Sequence, residues 1–270
     1  MLLLLLFLTT ALCYEKLSNS RILLMPGYGC CDKDYSEFQT ICKKSNIPVD
    51  VVNIKRYEWL YIMRGIGNTK YWNYQCNPKD LFHWYLQKCK DSLFDSYEKN
   101  NQQPIILCGH SAGGWLGRFL LNNGTLYNEE KQSNDYVTAL VTMGSPNTFH
   151  LKREQDTTRG CLQYVDQHFP GTYLKSQGIQ YMTLGSRAKT INVQNKLNWK
   201  EKMVRNSYLT VINERPIIEG DGVVPLISSH LQDAKQVTFD DVYHFPRKDK
   251  KYYWEENILH SWLNQLENMI

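Results

Sequence analysis

Residues 105–120 read IILCGHSAGGWLGRFL: a buried-type strand, a glycine-bracketed serine and the start of a helix, with no linker between them. Few folds accept that junction. An apolar run that ends in Gly-x-Ser-x-Gly and resumes apolar periodicity at once must turn sharply at the serine. Gly109 and Gly113 remove side chains that would collide with neighbouring segments, so that Ser111 can hold a strained conformation. The turn lifts the Ser111 hydroxyl to the carboxyl edge of a sheet. A helix from about Ala112 then aims its first N–H groups at an anion forming there. Ser111 is a candidate nucleophile; the alternative is a purely structural turn.

The rest of the chain supplies that sheet. RILLMPGYG (21–29) reads as a strand ending in a glycine turn. VDVVNI (49–54) follows a helix-like segment with Phe38 and Ile41, and PIILCG (104–109) precedes the serine. VTALVTMGSP (137–146), IQYMTLGS (179–186) and KQVTF (235–239) add three more. Continuous apolar strands separated by helices predict an α/β fold with a mostly parallel sheet covered on both faces. Two aromatic-rich stretches, 55–77 and 145–175, interrupt the pattern as loop or cap insertions that border a site. No repeat, low-complexity linker or composition shift divides the chain, which predicts one domain over 14–270.

A lone serine is a poor nucleophile and needs a base and an acid, in the chain order Ser, Asp/Glu, His for this strand–turn–helix context. EGDGVVPL (219–226) offers Asp221 in a glycine-flanked loop before a helix start; a turn or helix cap is the other role for such an aspartate. Three histidines follow. His230 is close to Asp221 and falls on the predicted helix between them. His260 sits beside the apolar face of ENILHSWLNQL and reads as structural. His244 follows the last strand, in a loop free to bring an imidazole over the serine, and is the candidate base. Oxyanion donors must be backbone N–H groups already aimed at the site. The predicted pair is Ala112 and Tyr28, the latter in the PGYG turn, where its ring could instead wall the pocket. Tyr57, Trp59, Tyr61, Tyr71, Trp72 and Phe149 are candidates to line an acyl groove; packing the insertions onto the sheet is the competing role.

The first 13 residues, MLLLLLFLTTALC, are too short to span a bilayer comfortably and suit the apolar region of a secretory leader, although no basic residue precedes the run; a buried N-terminal strand or helix is the alternative. The expectation is a leader at 1–13 and a soluble mature chain routed to the secretory pathway or the exterior. Cys30, Cys31, Cys42, Cys76, Cys89, Cys108 and Cys161 remain. Cys108 reads as a buried thiol, and the other six allow up to three disulfides of unassigned pairing. Asn123-Gly124-Thr125 is a glycosylation sequon. No Cys-x-x-Cys or His-x-x-x-His pair suggests a metal. A net charge of +4 with no supporting motif argues against a nucleic-acid binder. The basic run Arg247, Lys248, Lys250 and Lys251, mixed with Tyr252, Tyr253 and Trp254, is either a solvated loop or a transient membrane-surface contact.

LLMPGYG, VVNIKRYEWL, YWNYQCNPKDLFHWYL, TMGSPN, TRGCLQYV and DDVYH, together with the more specific GHSAGGWLGR and GDGVVPL, carry a family resemblance. Over nearly all of its mature length the chain resembles the plant and cyanobacterial α/β-hydrolase family of lipases and esterases. The resemblance implies an α/β-hydrolase fold, a triad of Ser111, Asp221 and His244, no cofactor, and lipid or small esters as substrates. Acyl-protein thioesterase or acyltransferase chemistry uses the same triad. An idle fold kept as a binding module is the remaining alternative. The extra cysteines, the Lys- and Asn-rich stretch 187–206 and the leader in place of a plastid transit peptide depart from that family.

Overall fold

The computed structural model describes residues 14–122, 133–152 and 156–270. The expected leader (1–13) and the sequon at Asn123 lie outside them. The strands run β1 (Ile22–Met25), β2 (Val49–Val51), β3 (Ile105–His110), β4 (Val137–Met143), β5 (Gln180–Ser186), β6 (Lys189–Asn192), β7 (Ile217–Gly220), β8 (Lys235–Phe239) and β9 (Val242–Tyr243). Six of them form one parallel sheet in the order β2-β1-β3-β4-β5-β8. These are the six strands expected from sequence, with β2 cut short where the Ile54 N–H folds back onto the Val52 carbonyl at 2.9 Å.

Alternation along each strand divides the core into two layers. Leu23, Met25, Ile105 and Leu107 face one apolar cluster, and Ile22, Leu24, Ile106 and Cys108 face the other. The helices Pro78–Lys99, Ala112–Leu120 and Cys161–His168 cover the first face. Ser36–Lys44 and Glu256–Glu267 cover the second, with Ile258, Leu259, Trp262, Leu263 and Leu266 of the latter all buried. Burying each such side chain contributes roughly 1.5–3 kcal/mol, which is why both faces stay closed.

The helix Pro78–Lys99 starts on a capping box: the Asn77 side chain accepts from the Lys79 N–H at 2.8 Å, and Asp80 accepts from the Asn77 N–H at 2.8 Å. Pro at the first helical position fits an N–H that would have no partner there. Strands β6 and β7 form a separate antiparallel pair, with the helix Trp199–Tyr208 between them. None of the described helices is long and apolar enough to cross a membrane.

Strand β1 has β2 on one side and β3 on the other. The helix after β1 covers one face of the sheet and the helix after β3 covers the opposite face. The chain therefore parts between the carboxyl ends of these two strands, and a crevice forms there.

The expected disulfides are absent: all seven described cysteines are free thiols. The sheet accounts for much of this. Cys30, Cys42 and Cys108 belong to one core layer and Cys76, Cys89 and Cys161 to the other. Burial pushes the Cys42 thiol up to about 12 and the Cys76 thiol up to about 11, so both stay protonated and unreactive near neutrality.

Candidate active site

Ser111 stands at the crevice, between the end of β3 and the helix Ala112–Leu120. Its backbone is at φ 52°, ψ −122°, a conformation that costs a non-glycine residue of order 1–3 kcal/mol. Two backbone bonds hold it there: the Ser111 N–H donates to the Met143 carbonyl at 2.9 Å, and its carbonyl accepts from Gly114 at 3.0 Å. The flanking glycines are required by space. A Cβ on Gly113 would lie 2.2 Å from the Met25 carbonyl oxygen, and one on Gly109 would lie 2.5 Å from Gly113.

Asp221 follows β7 and His244 follows β9, and both side chains are buried. His244 Nδ1 lies 2.7 Å from Asp221 Oδ2. The same carboxylate accepts from the Tyr253 hydroxyl at 3.0 Å and from the N–H groups of Val223 and Val224 at 2.9 and 2.7 Å. Burial first, and the Asp221 charge second, hold the Tyr253 phenol well above its ordinary value, so it remains a donor. The Asp221 oxygen facing the ring acts as acceptor, which places the imidazole N–H on Nδ1. His244 Nε2 is then a lone-pair acceptor, and it is buried without a hydrogen-bond partner. No hydrogen bond joins it to the Ser111 hydroxyl.

A second histidine lies underneath. His110 is fully buried, its ring centroid 4.6 Å from that of His244. Its Nε2 faces the His244 carbonyl, which can only accept, so Nδ1 is the acceptor and takes the Tyr35 proton at 2.8 Å, while the Tyr35 hydroxyl accepts from the Gly27 N–H at 3.0 Å. His110 Nε2 then donates to the His244 carbonyl at 3.1 Å. Burial, and then His244, hold the His110 pKa well below its ordinary value, which fits this neutral tautomer. The chain of bonds ties the PGYG turn to the backbone of the candidate base. His110 was visible only as the variable residue of Gly-x-Ser. Tyr35 carries no local signal, and Tyr253 was hidden in the basic aromatic run.

Tyr28 and Ala112 both border Ser111: a Cβ on Gly27 would lie 2.9 Å from the Ser111 Cβ, and Ala112 is the next residue. The N–H groups of Tyr28 and Ala112 donate to no acceptor among the described residues. A cavity of about 430 Å³ opens beside them. Its apolar walls include Ile62 and Met63 from the first insertion, Phe82 and Trp115 from two helices, and Leu162 and Val224.

Of the aromatic candidates, Tyr71 lines this cavity. The others stand elsewhere, for physical reasons. Trp59 is buried in the core and donates Nε1 to the Cys30 carbonyl at 2.8 Å. Trp72 is exposed and donates to the Ile66 carbonyl at 2.9 Å. Tyr57 is exposed, Tyr61 packs edge-on to Trp84, and Phe149 packs against the core. His230 is not helical. It follows the short helix Leu226–Ser229 in extended conformation, bonded to Thr183 Oγ1 and Thr238 Oγ1 at 2.9 Å each. His260 meets the Tyr14 hydroxyl at 2.9 Å, on the far layer of the fold. In the basic run, Tyr253 and Trp254 are buried and Lys251 pairs with Asp241 at 2.7 Å. Among the described residues no group of three or more His, Cys, Asp or Glu side chains is placed to hold a metal ion.

Fold and site geometry together define the class: this is an α/β-hydrolase fold. Among solved structures, the chain is similar to the lipase BlEst2 of Bacillus licheniformis in its mature form, with a TM-score of 0.60 at 13% identity over 92% of this chain and 91% of that one. The propeptide form of that lipase gives a TM-score of 0.55 at 12% identity, over 94% of this chain and 51% of that one. An α/β hydrolase, MGS-MChE2, from the metagenome of Mar Chica lagoon sediments in Morocco gives 0.47 at 13% identity over 92% of each chain. No protein-family model matches the chain, and no curated protein matches it in sequence. At these identities the likeness is one of fold.

Proposed function

We propose that the protein is a serine hydrolase of carboxylic esters, lipid acyl esters among them, working through Ser111, His244 and Asp221. One observation carries this: a buried Asp–His pair leaves His244 Nε2 with no partner among the described residues, and the His244 ring centroid lies 4.6 Å from that of His110, the residue before Ser111 on its strained turn. In the first half-reaction Ser111 Oγ attacks the ester carbonyl while its proton passes to His244 Nε2. Asp221 stabilises the imidazolium, and the N–H groups of Tyr28 and Ala112 receive the oxyanion. Collapse of the adduct breaks the bond to the alcohol oxygen, which takes the proton from His244. In the second half-reaction water gives a proton to His244 and attacks the acyl-serine. Collapse of this second adduct breaks the bond to Ser111 Oγ, which takes the proton from His244 as the carboxylic acid leaves.

The lipid part of the proposal rests on the apolar cavity and on exposed apolar side chains of the segments that line it. Leu60, Met63, Ile66 and Trp72 of the first insertion are exposed, as are Trp199 and Met203 of a helix whose end also reaches the cavity. Exposed apolar side chains on segments that also line the cavity suit transient contact with a lipid surface. Entry to the secretory pathway through residues 1–13, modification at Asn123 and a single mature domain over 14–270 belong to the same proposal. N-terminal sequencing of the exported protein tests the first. Placement beside the plant and cyanobacterial hydrolases rests on GHSAGGWLGR and GDGVVPL.

The decisive experiment is labelling with a fluorophosphonate probe. The wild type should react at one serine, and Ser111→Ala should lose the label while melting at the same temperature. Labelling retained in that variant would falsify the assignment.

A further inference from the structure

Arg159 is the one charged residue among the described residues lining the cavity beside Ser111. Its guanidinium carbon lies 4.5 Å from the ring centroid of Tyr71 and 4.9 Å from that of Tyr74. Stacking of this kind engages the faces of the planar cation. Its five N–H donors lie in the plane and stay available. No carboxylate or carbonyl among the described residues takes them.

The described carboxylates on either side, Asp156 and Asp80, are already committed. Asp156 accepts from the Thr158 N–H at 2.7 Å, the Thr158 hydroxyl at 2.6 Å and the Gln163 N–H at 3.3 Å. Asp80 pairs with Lys70 at 3.3 Å and caps its own helix. The Arg159 backbone is pinned on both sides: its N–H donates to the Asp156 carbonyl at 2.9 Å, and its carbonyl accepts from Cys76 at 3.0 Å. A fixed backbone and two aromatic rings thus hold a cation, its donors unused among the described residues, at the wall of an apolar cavity. Such a group gains most from an anion delivered by a ligand.

We propose that the cavity takes esters whose end remote from the scissile bond is a carboxylate or a phosphate, received by Arg159. This rests on the serine-hydrolase function above and names its substrate class. The two groups share one chemistry, a pair of anionic oxygens that a guanidinium meets with two parallel bonds. A site built to bond such a group discriminates strongly against an analogue that lacks it. The anion can sit on the acyl chain, as in a dicarboxylic half-ester, or on the alcohol, as in an acylglycerol phosphate.

Paired substrates separate these cases. In the first arm, p-nitrophenyl half-esters from succinate to suberate are compared with the same esters methyl-capped at the free carboxylate. In the second, release of fatty acid from 1-acylglycerol 3-phosphate is compared with release from 1-acylglycerol. One arm should give the wild type an anionic-to-neutral ratio in kcat/KM of about tenfold or more, the equivalent of one charge-assisted hydrogen bond. Arg159→Gln should bring that ratio close to one, and Arg159→Lys should leave it between the two. A ratio near one in both arms of the wild type overturns the proposal without any variant. So does a preference that survives in a folded Arg159→Gln. Neutral esters cleaved without anion preference leave the serine hydrolase standing; no cleavage of any ester together with no fluorophosphonate labelling removes both.

Discussion

Gly144 is the position where a single methyl group should disable the site from behind. It follows β4 at φ +52°, and a Cβ there would lie 2.6 Å from Asp221 Oδ2, 2.7 Å from Tyr253 Cε2 and 3.0 Å from His244 Nδ1. Ordinary contact begins at 3.4 Å, so the carboxylate oxygen must retreat by about 0.8 Å. It has little room to do so, since the Val223 and Val224 N–H groups hold its partner oxygen. Gly144→Ala should therefore move or break the 2.7 Å bond that orients His244. Misplacement of a catalytic group on the scale of an ångström costs about 10²-fold, and this is the loss expected in kcat/KM. Left-handed backbone at a residue with a side chain adds about 1–3 kcal/mol of destabilisation. Gly178→Ala separates the two effects: Gly178 has φ +94° and nothing within 4 Å of its added Cβ. Steady-state hydrolysis of a p-nitrophenyl ester and thermal melts by circular dichroism measure both variants. Similar loss of stability with loss of rate only in Gly144→Ala is the expected result. Equal kcat/KM in the two alanine variants would refute the reasoning.

Among the histidines, His244→Ala should cost several powers of ten in turnover, on the order of the nucleophile's own loss, while His260→Ala and His230→Ala act on stability; an active His244→Ala in the same ester assay would reassign the base. His110 and His230 are both held below the ordinary histidine value, in each case by burial first. The unfolded chain therefore binds protons that the folded chain refuses, so their contribution is full above about pH 6.5 and is lost as the pH falls below it. Melting temperature should drop from about pH 7.5 to about pH 5, and His110→Asn should make the drop shallower; an unchanged slope contradicts this. Tyr35→Phe leaves the Gly27 N–H and His110 Nδ1 without their partner, a cost of about 1–3 kcal/mol for each buried group, measured by urea denaturation. Trp72→Ala should leave acyl-chain preference unchanged, because Trp72 lies outside the cavity, whereas Leu162→Trp should shift the preference toward shorter p-nitrophenyl esters; a shift in Trp72→Ala alone would show that the chain binds elsewhere.

The contrast between what was legible and what was not follows the range of the forces. The elbow at Ser111 is fixed within a few residues by glycine spacing, an apolar strand and a helix start, so GHSAG carried its own geometry. The six strands were equally local, because a strand buried on both faces must be apolar along its length. Asp221 and His244 were placed by chain order plus a glycine-flanked loop and a position after the last strand. The aromatic insertions were a different case. Composition marked 55–77 as special but did not distinguish rings packed inward from rings facing the cavity or solvent. Trp59, Tyr71 and Trp72 have one alphabet and three fates, decided by which backbone carbonyl or ring each one meets. Gly144, His110, Tyr35 and Tyr253 lie still further from local signals. Each acts through a contact across tens to more than a hundred residues, as with the Tyr35–His110 and His110–His244 bonds. A motif records where the reacting atom stands. The bonds that hold its partners come from segments whose only shared property is that the fold brings them together.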